Sequence, residues 1–184
     1  EEKQRAGGGY KVRCVPQLNQ YFTIEKQELI VFMGKMKMGK SMFLMNVAMD
    51  LIDQGAKVLY LDTELSDVLF TRRLISYISG VEADLIKRGG YNEIDRESID
   101  KARQKIRDIG LYHLYIPNYT SDSVYATIKT MQRKCGIDTV IFDYLKPSEG
   151  NSDAYSTYAS LGDLTNLLKN KVAGDMKLHV LTAC

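Results

Sequence analysis

Residues 34–41, GKMKMGKS, constrain the fold more than any other stretch of the chain. They fit the pattern G-x-x-x-x-G-K-[ST] and stand between a short apolar run, residues 29–33, and a segment of helical period, residues 41–54. That segment is apolar at Leu44, Val47, Ala48, Leu51 and Ile52 and is followed by Gly55, where a left-handed cap belongs. In this setting the glycines let consecutive backbone N–H groups turn inward, and the following helix presents the positive end of its dipole; together they cradle phosphate oxygens. Gly34, Lys35, Met36, Lys37, Met38, Gly39, Lys40, Ser41 and Met42 are therefore the expected nucleotide-binding stretch. Lys40 is expected to reach the β- and γ-phosphates of ATP, and Ser41 to hold Mg2+ through its hydroxyl. Lys35 and Lys37 read as solvated loop charges. Met33, Met36, Met38, Met42 and Met45 read mostly as packing on the helix side.

A phosphate loop of this kind implies an α/β domain, and the rest of the chain agrees. Apolar runs at residues 29–33, 57–62, 111–116, 139–145 and 178–184 alternate with helical segments, which predicts a mainly parallel sheet flanked by helices on both faces. Ser66 caps an expected helix ending at Gly80, and residues 81–91 read as a short helix with a turn at Gly90. Asp95 is expected to cap a helix ending at Gly110, and Ser121 or Ser123 to open the next. The last helix is expected over residues 155–172, with Tyr158, Leu161, Leu164, Leu168 and Val172 on one face.

At 184 residues and 45% apolar, the chain suits one domain, expected over residues 15–184 behind a linker or tail at residues 1–14 that another segment precedes. The longest apolar stretch, residues 42–52, is interrupted by Asn46 and Asp50, too short for the roughly 20 residues of a membrane span. A net charge of +2 does not by itself point to nucleic acid. Cys14, Cys135 and Cys184 are odd in number and widely spaced, which favours neither a disulfide framework nor a zinc site and suits the cytoplasm.

A second carboxylate for the metal is expected at Asp143, which ends the apolar run TVIFD. Near the end of the second run, in LYLDTEL, stand Asp62 and Glu64, either of which could polarise an attacking water as general base. Two residues apart, they point the same way along a strand, and spacing does not choose between them.

The order GKMKMGKS, VLYLDTELS, VIFDYL resembles the RecA-like ATPase domain of DnaB-type replicative helicases, including phage members, from about Val15 to Cys184. The resemblance implies a RecA-like P-loop NTPase core, with Glu64 as catalytic glutamate, Asp143 as the Walker B aspartate and Arg73 as an arginine on the following helix. It departs at Lys35-Met36 inside the loop and at Lys146-Pro147 after Walker B, where the family commonly has Arg-Pro and Gln-Leu. It implies Mg-ATP hydrolysis at the interfaces of a homo-oligomer, a hexamer in the full-length protein, coupled to translocation on single-stranded DNA. Primase and a helicase loader are the implied partners. A γ-phosphate-sensing glutamine and an arginine finger are expected beyond Cys184. By the same resemblance the loop after Walker B faces DNA through Lys146, Ser148, Gly150, Asn151 and Ser152, whose groups suit backbone contact, although Glu149 and Asp153 oppose it. An ordinary surface loop is the competing reading. Tyr155 reads as a candidate for base stacking and Tyr158 as core. A recombination or accessory ATPase would share every nucleotide residue, and a nucleotide-gated assembly module without hydrolysis is the rival from another class.

Overall fold

The computed structural model describes residues 9–146 and 154–184, with the side chains of residues 154–158 outside that description. Five runs of β-forming residues become the strands β1 (Leu29–Phe32), β2 (Val58–Asp62), β3 (Leu111–Tyr115), β4 (Thr139–Asp143) and β5 (His179–Ala183). They pair in the order β1-β5-β4-β2-β3, all parallel. β5 thus lies between the strand that feeds the glycine-rich loop and the strand that ends in Asp143.

Residues of β2 and β4 are buried throughout, as a sheet covered on both faces requires. The period of two then decides which layer each side chain joins. Val58, Tyr60, Ile141 and Leu181 pack with Leu44, Val47, Ala48 and Leu51 of α1 (Lys40–Asp53) and with Phe70 and Leu74 of α2 (Asp67–Ser79). Leu59, Leu61, Val140, Phe142 and Val180 face Val124 and Ile128 of α5 (Ser121–Cys135) and Leu164 of α6 (Ala154–Asn166). The connection from β2 to β3 runs through α2, α3 (Ala83–Arg88) and α4 (Glu93–Asp108), sealed by a satellite cluster of Ile75, Val81, Ile99 and Ala102. The fold class is the expected one, and no helix among the described residues is long and apolar enough to cross a membrane.

Local differences have local causes. Asn92, not Asp95, caps α4: its side chain accepts the Asp95 N–H at 2.9 Å, leaving Asp95 in the first turn. Thr120 caps α5, and Ser123 is its reciprocal partner in a capping box rather than the opening residue. Ser66 stands at the start of α2, but its hydroxyl makes no cap bond. The last helix does not stop near Val172; α6 continues as a π-helix over Leu167–Asp175, a wider turn that brings Leu168, Val172 and Ala173 together onto the sheet. A 3-10 turn at Pro16–Gln20, with Pro16 in the first position, carries no periodic signal. Tyr10 and Val12, inside the stretch read as linker, pack on the domain: Tyr10 bridges Ile24, and Val12 is fully buried. Asp50, which interrupts the apolar face of α1, accepts the N–H groups of Arg13 and Cys14 and fastens that segment down.

Candidate nucleotide-binding and hydrolysis site

The strands of a parallel sheet all end at one edge, and register brings four ends side by side: Phe32 beside Ala183, and Asp143 beside Asp62. The glycine-rich loop leaves β1 at this edge. Lys37 takes φ of 62°, and Gly39 takes φ of 86° to swing the chain into α1, a left-handed turn that favours glycine. Lys40 folds back across its own loop, donating to the carbonyls of Gly34 at 2.6 Å and Lys35 at 3.3 Å. Gly34 lies along that stem: a Cβ there would stand 3.6 Å from Lys40 Cγ, in ordinary contact.

The methionines correct the sequence reading. Met45 alone of the five enters the core, whereas Met33, Met36 and Met38 are 78, 84 and 74% exposed and Met42 is 41% exposed. Those before the helix sit on the loop between β1 and α1 rather than on an amphipathic face, and no layer among the described residues covers them.

Ser41 and Asp143, 102 residues apart, meet: the Ser41 hydroxyl donates to Asp143 Oδ1 at 3.2 Å. The other carboxylate oxygen accepts from Tyr60 Oη at 2.7 Å. Burial pushes the Asp143 carboxyl above the usual carboxylate range, the bonds from Tyr60 and Ser41 oppose that, and the charges of Asp62 and Glu64 add to it. Tyr60 is pushed well up, first by burial and then by Asp143, with the Arg73 guanidinium pulling the other way.

The two carboxylates that spacing does not separate do different things. Asp62 is 1% exposed, and its Oδ1 accepts the N–H groups of Glu64 at 2.8 Å and Leu65 at 2.6 Å, capping the turn. Glu64 is exposed at the apex of that turn, where its carboxylate accepts from Tyr144 Oη at 2.9 Å. That bond is the main cause of the raised Tyr144 pKa. Lys40 Nζ stands 5.8 Å from the Tyr144 ring centroid, so Lys40, Tyr144 and Glu64 form a row across the mouth of the site.

A loop, a lysine, a hydroxyl paired with a buried carboxylate and an exposed glutamate now stand at one sheet edge. The family model of the DnaB-like helicase C-terminal domain matches residues 15–184. The chain belongs to that family. It is 21% identical over 171 residues to the replicative DNA helicase DnaB of Rickettsia bellii, covering 87% of this chain and 34% of that protein. It is 26% identical over 118 residues to a probable plasmid replicative DNA helicase of Chlamydia muridarum, covering 64% of this chain and 26% of that protein. The chain thus spans about a third or less of the length of these relatives. Two solved structures share the fold with TM-scores of 0.76 at 19% identity. One is of a DnaB-like replicative helicase and its interactions with primase, matched over 87% of this chain and 39% of that one. The other is of an ATPase domain, matched over 86% of this chain and 57% of that one.

Within this family frame, Lys146 is half-buried and donates to the Thr63 carbonyl at 3.2 Å, against the Glu64 turn. Ser148, Gly150, Asn151 and Ser152 lie outside the described residues, as do the side chains of Tyr155 and Tyr158. Tyr60 and Tyr144 are not legible as site residues in the sequence. Tyr60 reads as a strand core residue, and only the β2–β4 register shows that its hydroxyl reaches Asp143. Its removal should be felt: Tyr60→Phe leaves a buried carboxylate oxygen without a donor and is expected to lower stability by about 1–3 kcal/mol. Urea denaturation of the two proteins checks this; an unchanged midpoint would mean that Asp143 finds another donor.

Proposed function

We propose that the chain is the ATPase motor of a ring-forming replicative DNA helicase, hydrolysing Mg-ATP at subunit interfaces to move along single-stranded DNA and separate a duplex. The observation that carries the reading is the convergence of Lys40, Ser41, Asp143 and Glu64 beneath a glycine-rich loop at one sheet edge. Residues 35–41 and the start of α1 bind phosphate, and Lys40 exchanges its loop carbonyls for β- and γ-phosphate oxygens. Glu64, exposed and oriented by Tyr144, takes a proton from the attacking water. Arg73 on the next helix lends positive charge near the Tyr60–Asp143 pair.

The residues present fit a magnesium ion. A hydroxyl and a carboxylate are hard oxygen donors, they already lie 3.2 Å apart, and Asp62 and Glu64 add negative charge around them. Ser41 and Asp143 would hold the ion, which when bound neutralises charge on the phosphates.

The relatives named as replicative helicases support DNA as the track, and the structure concerned with primase supports primase as a partner. The reading includes a hexamer, a loader and a cytoplasmic setting, and it keeps residues 146–153 as a DNA-facing loop acting through Lys146, Ser148, Gly150, Asn151 and Ser152. A forked duplex with a single-stranded tail, incubated with the intact protein and ATP, tests it: unwinding is expected, with ATPase stimulated by single-stranded DNA and specific activity that rises with protein concentration. Strand exchange without unwinding would favour a recombination ATPase, and nucleotide binding without turnover a gated assembly module.

A further inference from the structure

Glu64 rides on a turn whose two ends are tied to one imidazole. At the entry, Asp62 Oδ2 faces His113 Nε2 at 3.7 Å; at the exit, Asp67 Oδ1 lies 2.7 Å from His113 Nδ1. His113 sits in the middle of β3, level with Tyr60, and its ring stacks on Phe70 of α2 at 3.9 Å between centroids and 14° between planes. The ring is therefore fixed in plane and rotation by packing, while its two nitrogens address carboxylates at both feet of the turn. Asp62 Oδ2 and His113 Nε2 are both buried without a hydrogen bond of ordinary length. At 3.7 Å they are too far apart for one, yet close enough to attract. A neutral imidazole has one N–H and one lone pair, so it satisfies one carboxylate and turns the lone pair on the other; the imidazolium donates towards both. Since the opposite oxygen of Asp62 holds the amides of Glu64 and Leu65, whatever sets the Asp62 carboxylate sets the apex of the turn.

We propose that His113 is a positioning residue for hydrolysis, clamping the Asp62–Asp67 turn so that Glu64 is presented to the attacking water. The inference rests on Glu64 being the general base. His113 approaches the Ser41–Asp143 pair through Tyr60, whose ring centroid lies 6.0 Å from its own, so a phenylalanine that keeps this packing should spare nucleotide binding and cost turnover.

The test compares His113→Phe, Asp67→Asn and Glu64→Gln with the parent in the intact protein, reading kcat with single-stranded DNA, affinity for a fluorescent ATP analogue, and thermal midpoint. Phenylalanine keeps the stack on Phe70 and removes both polar contacts. His113→Phe is expected to bind the analogue within about twofold of the parent while kcat falls about ten- to a hundredfold, the loss that follows when a reacting group shifts by about an ångström. Asp67 is exposed, so Asp67→Asn should leave the midpoint unchanged and lower kcat by about two- to fivefold, the worth of one exposed polar contact. If Glu64→Gln is inactive while both other variants keep full kcat, the role of His113 falls and the reading of Glu64 stands. If Glu64→Gln is active, both fall. Parallel losses of affinity and kcat in His113→Phe would mean general distortion and also overturn the clamp. Should His113→Phe fail to fold, Asp67→Asn decides alone, and parental kcat there refutes the proposal.

Discussion

Lys40→Ala is expected to abolish measurable ATP hydrolysis and strongly weaken nucleotide binding. Of the lysines in the loop, Lys35 and Lys37 are exposed, whereas Lys40 is half-buried and reaches back over Gly34 and Lys35. Its ammonium is thus held over the loop before any phosphate arrives, and little side-chain freedom is left to lose on binding. Removing it takes away a point charge at the oxygens where charge gathers, an interaction whose loss costs about 10²–10³ in rate in comparable sites. The fold should survive, because the carbonyls of Gly34 and Lys35 lie on an exposed loop where water replaces the lost donor. Titration of an ATP analogue together with steady-state turnover checks both halves of the expectation. Near-parental hydrolysis in Lys40→Ala would remove the phosphate-cradle assignment, and with it the metal-holding roles of Ser41 and Asp143.

Much of this frame is visible in the sequence because its signals are local. A strand, eight residues of loop and an amphipathic helix are contiguous, and the strand-end Asp143 is marked by the apolar run before it. What the sequence does not carry is pairing across the sheet. Tyr60 and Asp143 are 83 residues apart and His113 and Asp67 are 46 apart; both pairs exist only because β4, β2 and β3 lie in one register. Helix starts are misread where two polar residues compete three positions apart, as with Asn92 and Asp95, since either has the chemistry of a cap and the turn geometry selects the first. The methionines mislead for a related reason: apolar character argues for burial only where an element lies opposite, and nothing among the described residues lies over Met36 and Met38. Asp62 and Glu64 are a third case. Period-two alternation holds only while the strand continues, and β2 ends at Asp62, so the rule that would place both carboxylates on one face lapses between them.

Glu64→Gln is expected to keep Mg-ATP binding and stop turnover, with a loss of about 10²–10⁴ in kcat, the usual contribution of a general base. Glutamine preserves shape, so the hydrogen bond from Tyr144 retains an acceptor, and Ser41 and Asp143 are untouched. Asp62→Asn separates the carboxylates by a different signature. Its carboxylate accepts two backbone N–H groups and is buried, so an amide that turns its oxygen to them keeps both bonds and presents an NH2 towards His113, exchanging an attraction for a contact between two donors or a weak bond to a lone pair. The expected result is a lowered melting temperature and a partial fall in kcat through a loosened Glu64 turn, not the near-complete loss of Glu64→Gln. Turnover, analogue affinity and thermal midpoint measured on both variants distinguish the roles. Should Asp62→Asn stop turnover at an unchanged midpoint while Glu64→Gln remains active, Asp62 is the base, and the exposed apex of the turn serves some purpose other than activating water.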